Sequence, residues 1–205
     1  MRIKVPTHAW TGQAGQAGVG KEGNVYQPTE KQLSDAIISA ARRAIRDLFA
    51  KHQEHFYYCS LVTTGEVHAP ILVAWSKEAL ETAALKDDNP TTAKAELRWS
   101  YADSPYCCYG EEYFREVRHL FDIRPRMCQT MTAEEWKLEY QLRLRAMESA
   151  MAQLDSEGLF GSGARRLQIV VNVEVMPPDE GNTERALRLN PKKALLEWLE
   201  EAAEQ

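Results

Sequence analysis

The sequence predicts a single α/β domain of the α+β type, with a central, mostly antiparallel sheet packed by about five helices. Three observations carry that expectation. Several stretches hold apolar residues at helical spacing behind recognisable caps. Three short runs are rich in β-branched and aromatic residues, and two of them flank a glycine turn. The composition, 44% hydrophobic and 27% charged over 205 residues, is that of an ordinary globular chain. A chain of this length fills one domain and needs no disulfide staple.

Residues 1–28 read as a Gly-rich arm, with five glycines between Gly12 and Gly23, and residues 29–205 as the domain proper. Thr29 and Gln32 form a capping box, and Leu33, Ile37, Ala41, Ala44, Ile45 and Leu48 then recur on one helical face, to about Lys51. Phe56–Thr63 and Pro70–Trp75 read as a hairpin around Gly65. Ser76 caps a helix that Asp87-Asp88-Asn89-Pro90 ends, because proline cannot continue one. Ala95–Tyr101 is expected to be a strand, and Glu111–Phe121 a helix with Tyr113, Val117 and Leu120 on one face. Thr132 and Glu135 open the longest helix, whose stripe of Trp136, Tyr140, Leu144, Met147, Met151 and Leu154 runs to a stop at Gly158. Leu167–Val175 is the strongest strand, stopped by Pro177-Pro178. Asn190 as cap and Pro191 at the first helical position start a last helix that reaches the C-terminus.

Charge restricts the partners. The net charge is −5, and residues 1–110 balance 12 acids with 12 bases, so the whole surplus lies in the second half. An acidic chain repels phosphate backbones and attracts basic proteins, so a protein partner is expected rather than nucleic acid. No apolar run approaches the length of a membrane span, and no signal peptide precedes the domain; a cytoplasmic protein, monomeric or a small oligomer, is expected. Cys59, Cys107, Cys108 and Cys128 show no zinc spacing and read as reduced thiols.

The residues that hint at chemistry have plainer readings. Gly15 to Lys21 resembles a phosphate-binding loop, but Glu22 stands where the magnesium-binding hydroxyl belongs. His52 and His55 have ligand-like spacing with no evident third ligand. Glu111-Glu112 and Glu134-Glu135 suit helix N-termini. No cofactor or metal and no catalytic residue is therefore expected. Glu197, Glu200, Glu201 and Glu204 differ, because they form one stripe near a helix C-terminus, where carboxylates oppose the dipole and repel each other. They are the first candidates for binding a basic partner, with Glu111, Glu112 and Glu116 as a second cluster.

Several segments occur in a telling order: the first helix leading into Phe56-Tyr57-Tyr58-Cys59-Ser60-Leu61, then Arg98-Trp99-Ser100, Gly158-Leu159-Phe160-Gly161, the strand Gln168–Val173, and Leu189-Asn190-Pro191. In this order the chain resembles bacterial domain-of-unknown-function family 4303, over about residues 30–200. The resemblance implies a single α/β domain in bacterial cytoplasm and no established activity. Small acidic bacterial proteins of this sort look like immunity proteins, which neutralise a cognate toxin delivered by type VI or contact-dependent secretion; that step is analogy. The expectation is thus an immunity-type protein that occludes a basic toxin such as a nuclease. The alternatives are a small cytoplasmic enzyme with an unrecognised site and a regulatory protein-binding module.

Overall fold

Thr29 and Thr132 each open a long helix through a capping box in which the threonine hydroxyl and the side chain three residues on exchange hydrogen bonds with backbone amides. The computed structural model describes residues 26–179 and 181–203. The first helix, α1, spans Glu30–Lys51. A hairpin follows, β1 (Phe56–Thr64) and β2 (Ile71–Ser76), and then α2 (Lys77–Ala84), capped by the Ser76 hydroxyl. Next come α3 (Pro90–Leu97), a short 3-10 turn leading into α4 (Arg115–Asp122), and α5 (Ala133–Ser156). The chain closes with β3 (Val170–Met176), α6 (Gly181–Leu189) and α7 (Leu196–Glu201).

The α+β class holds, and the sheet is mixed. Its order is β2-β1-β3: β1 pairs antiparallel with β2 and parallel with β3, where Tyr58 faces Val170 and Leu61 faces Val173. A parallel neighbour requires a crossover, and the segment from α2 to α5 supplies it. Both faces are covered, so β1 reads as an almost continuous buried run. Cys59, Leu61, Val171 and Val173 meet α1 and α5 on one face. Tyr58, Val62, Trp75 and Val170 meet Leu80, Leu195 and Trp198 on the other.

Two expectations about elements fail for a local reason. Ala95–Tyr101 is not a strand: α3 runs to Leu97, because Asn89 caps it through the Thr92 amide and Pro90 occupies its first turn. The Asn-Pro pair that ends one helix also starts the next. Conversely, Asn190-Pro191 does not cap α7, which begins only at Leu196. The Asn190 side chain is buried and turned to the sheet. Its Oδ1 accepts from the Val171 amide at 2.9 Å, and its Nδ2 donates to the Val171 carbonyl at 2.6 Å and the Ala186 carbonyl at 2.9 Å.

That contact belongs to a pattern along the outer edge of β3. Asn182 makes the same pair with Val175, accepting from its amide at 2.8 Å and donating to its carbonyl at 3.1 Å. Between them Arg185 donates to the Val173 carbonyl at 2.7 Å, and the Val173 amide turns to Asn172 Oδ1. Two side-chain amides and one guanidinium thus take the place of a fourth strand at residues 171, 173 and 175, and these positions offer no free ladder to another chain. The β2 edge is covered by the segment after α3, where Tyr109 N–H donates to the Leu72 carbonyl at 3.1 Å and Ser104 Oγ donates to the Ala74 carbonyl.

Candidate functional site

A concavity of about 1320 Å³ lies between α2–α3 on one wall and Leu167, Lys193 and α7 on the other, with Tyr57 and Val170 at its floor. Its position follows from the packing of α3. The Tyr57 hydroxyl donates to the Arg98 carbonyl at 2.6 Å, and Trp75 Nε1 donates to the Ser100 carbonyl at 2.7 Å. These two bonds draw the chain end of α3 over the sheet and leave Trp99 standing half-buried in the cleft wall. The Trp99 ring meets Tyr57 edge-on at 5.3 Å and Tyr58 at 6.0 Å. Burial pushes the Tyr57 hydroxyl well above its ordinary range, so it stays protonated and keeps donating.

The opposite wall is fastened electrostatically. Arg98 pairs with both Glu197 and Glu201, the latter at 2.9 Å, and Trp99 Nε1 donates to Glu201 at 2.8 Å. Leu196 and Leu167 remain 61% and 39% exposed within the cleft. Lys94 pairs with Glu81 across α2 and α3. The site therefore combines an aromatic floor, two exposed leucines and a rim of paired charges.

The expected acidic stripe is placed differently from a free face. Glu197 and Glu201 are spent on Arg98, and Glu200 is exposed and takes no part in that clamp. Glu204 lies outside the described residues, as do the Gly12–Gly23 arm and the loop from Gly15 to Lys21. Glu111, Glu112 and Glu116 are exposed at the start of α4, and the Glu111 carbonyl accepts from Arg118 at 2.9 Å. The structure does not bring the two clusters into one contact.

His52 and His55 turn to different partners. His55 meets Glu78, whose carboxyl its side-chain and backbone hydrogen bonds hold down at about 2. His52 Nδ1 sits 3.2 Å from the Tyr106 hydroxyl, which donates to Glu54 at 2.8 Å. Ser76 also donates to Glu54, while its oxygen accepts from the Ala79 amide as the cap of α2. The cluster borders a second concavity of about 460 Å³. Among the described residues no group of three or more His, Cys, Asp and Glu is placed to hold a metal ion, and no helix is long and apolar enough to cross a membrane.

Composition and charge missed Tyr57, Trp99, Leu167 and Leu196. The one signal available was Arg98-Trp99, an aromatic next to a cation in a polar stretch, and it lies within Ala95–Tyr101, which the sequence predicts as a strand.

No curated protein and no solved structure matches the chain. A protein-family model described as "Domain of unknown function (DUF4303)" matches residues 37–191, from the middle of α1 to the residue after Asn190. That match takes in the whole sheet, the amide-capped edge and the floor of the cleft, and the chain belongs to the DUF4303 family.

Proposed function

We propose that this chain is an immunity-type protein that neutralises a cognate toxin by seating a segment of it in the cleft between α3 and α7. The chemistry of that cleft carries the reading. Trp, Tyr and Arg are the residues most enriched where protein interfaces concentrate their binding energy, and Trp99, Tyr57 and Arg98 stand together with Leu167 and Leu196 exposed beside them. The volume of about 1320 Å³ exceeds the roughly 300–1000 Å³ of small-molecule pockets and suits a polypeptide segment. The net charge of −5 favours approach of a basic partner, and toxins that cut nucleic acid carry basic clefts. The toxin itself enters by analogy with small acidic immunity proteins.

The test expresses the products of the genes on either side of this one as candidate toxins. Calorimetry should give a tight complex, and growth of cells expressing the toxin should be rescued by this chain. Trp99→Ala and Leu196→Asp should each weaken binding by about 30-fold, equivalent to about 2 kcal/mol, with melting temperature little changed for Leu196→Asp. Full affinity in both variants would remove the cleft from the interface. Absence of both binding and rescue would sink the immunity reading.

A further inference from the structure

Neither the cleft nor the core accounts for the adjacent thiols Cys107 and Cys108. On an extended chain neighbouring side chains point to opposite sides. Here Cys108 has φ of 59°, in the left-handed region, and the chain folds so that the two sulfurs lie 3.8 Å apart. Cys108 is exposed, and Cys107 is half-buried against the Tyr58 side of the core. The chain is pinned on both sides of the pair. Cys107 N–H donates to the Ser104 carbonyl at 3.0 Å, and Tyr109 N–H donates to the Leu72 carbonyl of β2 at 3.1 Å. The backbone that carries the two sulfurs is therefore held on both sides.

Distance decides what such a pair can take. A disulfide needs sulfurs about 2.05 Å apart and Cα atoms usually about 4.4–6.8 Å apart, while adjacent residues have theirs only about 3.8 Å apart, so direct closure is strained. A linear bridge through one soft ion would need about 4.6 Å, twice a bond of about 2.3 Å. A bent bridge with such bonds spans about 3.8 Å at the tetrahedral angle and a few tenths of an ångström less at the narrower angle of a pyramidal centre, a closure that a small side-chain rotation from the separation found supplies. Zinc would make that angle, but it takes four ligands, and among the described residues no third donor of a metal cluster joins the pair.

We propose that Cys107 and Cys108 form a binding site for a trivalent arsenical, a soft pyramidal centre to which the protein contributes two sulfurs. With an arsine oxide, R–As=O, both S–H bonds break and two As–S bonds form. The oxide leaves as one water carrying both protons, arsenic stays trivalent, and no electron is transferred. Exposed Cys108 meets the reagent first. Burial and the neighbouring Cys108 push the Cys107 thiol up to about 11, so it closes the ring as a thiol whose proton departs with the oxide. Of the other cysteines, Cys59 is buried and Cys128 is exposed far along the sequence, beside Thr130.

The experiment incubates the reduced full chain with phenylarsine oxide and reads intact mass after challenge with glutathione, then with dimercaptopropanol. One arsenical per chain should survive the monothiol and be stripped by the dithiol. Cys108→Ser and Cys107→Ser should each lower retention roughly 100-fold or more, because the second bond forms within the same molecule, and Cys128→Ser should change nothing. Should Cys107→Ser fail to fold, alkylation of the wild type decides: the arsenical must protect Cys107 and Cys108 together from iodoacetamide. An adduct that survives Cys108→Ser, one that depends on Cys128, or one that glutathione removes from the wild type would overturn the site. So would a wild type that binds zinc in preference to the arsenical.

Discussion

Glu139 is 5% exposed and holds its charge between two arginines. Arg143 Nε donates to it at 2.7 Å, and Arg124 donates through both Nε, at 3.0 Å, and a terminal nitrogen. The arginines reach further: Arg143 donates to the carbonyls of Val67 and Pro125, and Arg124 to that of Pro28. Val67 is fully buried with φ of 48°, so this charge cluster secures an unfavourable hairpin turn against α5. Burial raises the Glu139 carboxyl, but the hydrogen bonds from Arg124 and Arg143 outweigh it and hold the pKa below the ordinary 4.5. A carboxylate depressed in the folded state contributes stability that is present above its unfolded value and lost as pH falls through the folded one. Stability should therefore decline as pH drops below about 4.5. Glu139→Gln leaves two buried cations without their anion and should cost about 3 kcal/mol at neutral pH, while flattening the acid-side decline. Urea unfolding from pH 7 to pH 3 measures both effects, and an equally steep acid decline in the variant would show that other carboxylates control it.

Among the elements, the arrangement of α6 along β3 rests on polar side chains that reach the strand edge. Asn190, Arg185 and Asn182 address residues 171, 173 and 175 in turn, so α6 and the residue after it cover alternate residues of a strand edge, with Asn172 taking the Val173 amide. Arg166 ties the same corner together by donating to the carbonyls of Ile169, at 2.8 Å, and Leu189, at 3.0 Å, and to Asn190 Oδ1. Asn190→Ala would orphan the amide and carbonyl of Val171 inside the protein. It should cost about 2–3 kcal/mol, more than loss of an exposed cap, which is typically about 1 kcal/mol. The comparison is with Asn89→Ala at the exposed start of α3, read by denaturant midpoints. Equal losses would mean that Asn190 acts as no more than a surface cap. Opening this edge should also raise the tendency of the chain to self-associate, which light scattering would report.

For the whole molecule, the clamp between Arg98 and α7 couples stability to the proposed interface. Glu197→Lys with Glu201→Lys would place three cations together and break the clamp on α7, so any fall in association rate would report disturbed structure as well as lost steering. The pair is partly exposed, and breaking it should cost about 1 kcal/mol or somewhat more, less at high salt. Glu200→Lys is the cleaner probe, because it changes the same surface without touching Arg98. It should leave the melting temperature unchanged and slow association at low salt, with the difference closing as salt rises. Stopped-flow kinetics at two ionic strengths checks this, and an unchanged low-salt rate would take α7 out of the encounter surface.

The sequence by itself determined the elements whose rules are local. The capping boxes at Thr29 and Thr132, the hairpin around Gly65, the stop at Gly158 with its φ of 77°, and the part of the α5 stripe from Leu144 to Leu154, which is buried, all follow from spacing and turn chemistry. Where two local rules used the same residues, sequence could not choose. Asn-Pro caps a helix at Asn89, where the side chain faces solvent and the nearest free amides are its own, and it fails to cap at Asn190, where a strand edge offers partners to the same amide group. The cleft was beyond sequence for a related reason. Tyr57, Trp99, Leu167 and Leu196 come from four separate segments, and the hydrogen bonds of Tyr57 and Trp75 to the carbonyls of Arg98 and Ser100, with that of Trp99 to Glu201, hold Trp99 facing α7. The acidic stripe shows the same limit. Helical spacing places Glu197 and Glu201 on one side of α7, but whether those charges face a partner or an arginine of the same chain depends on residues a hundred positions away, which only the folded structure brings within reach.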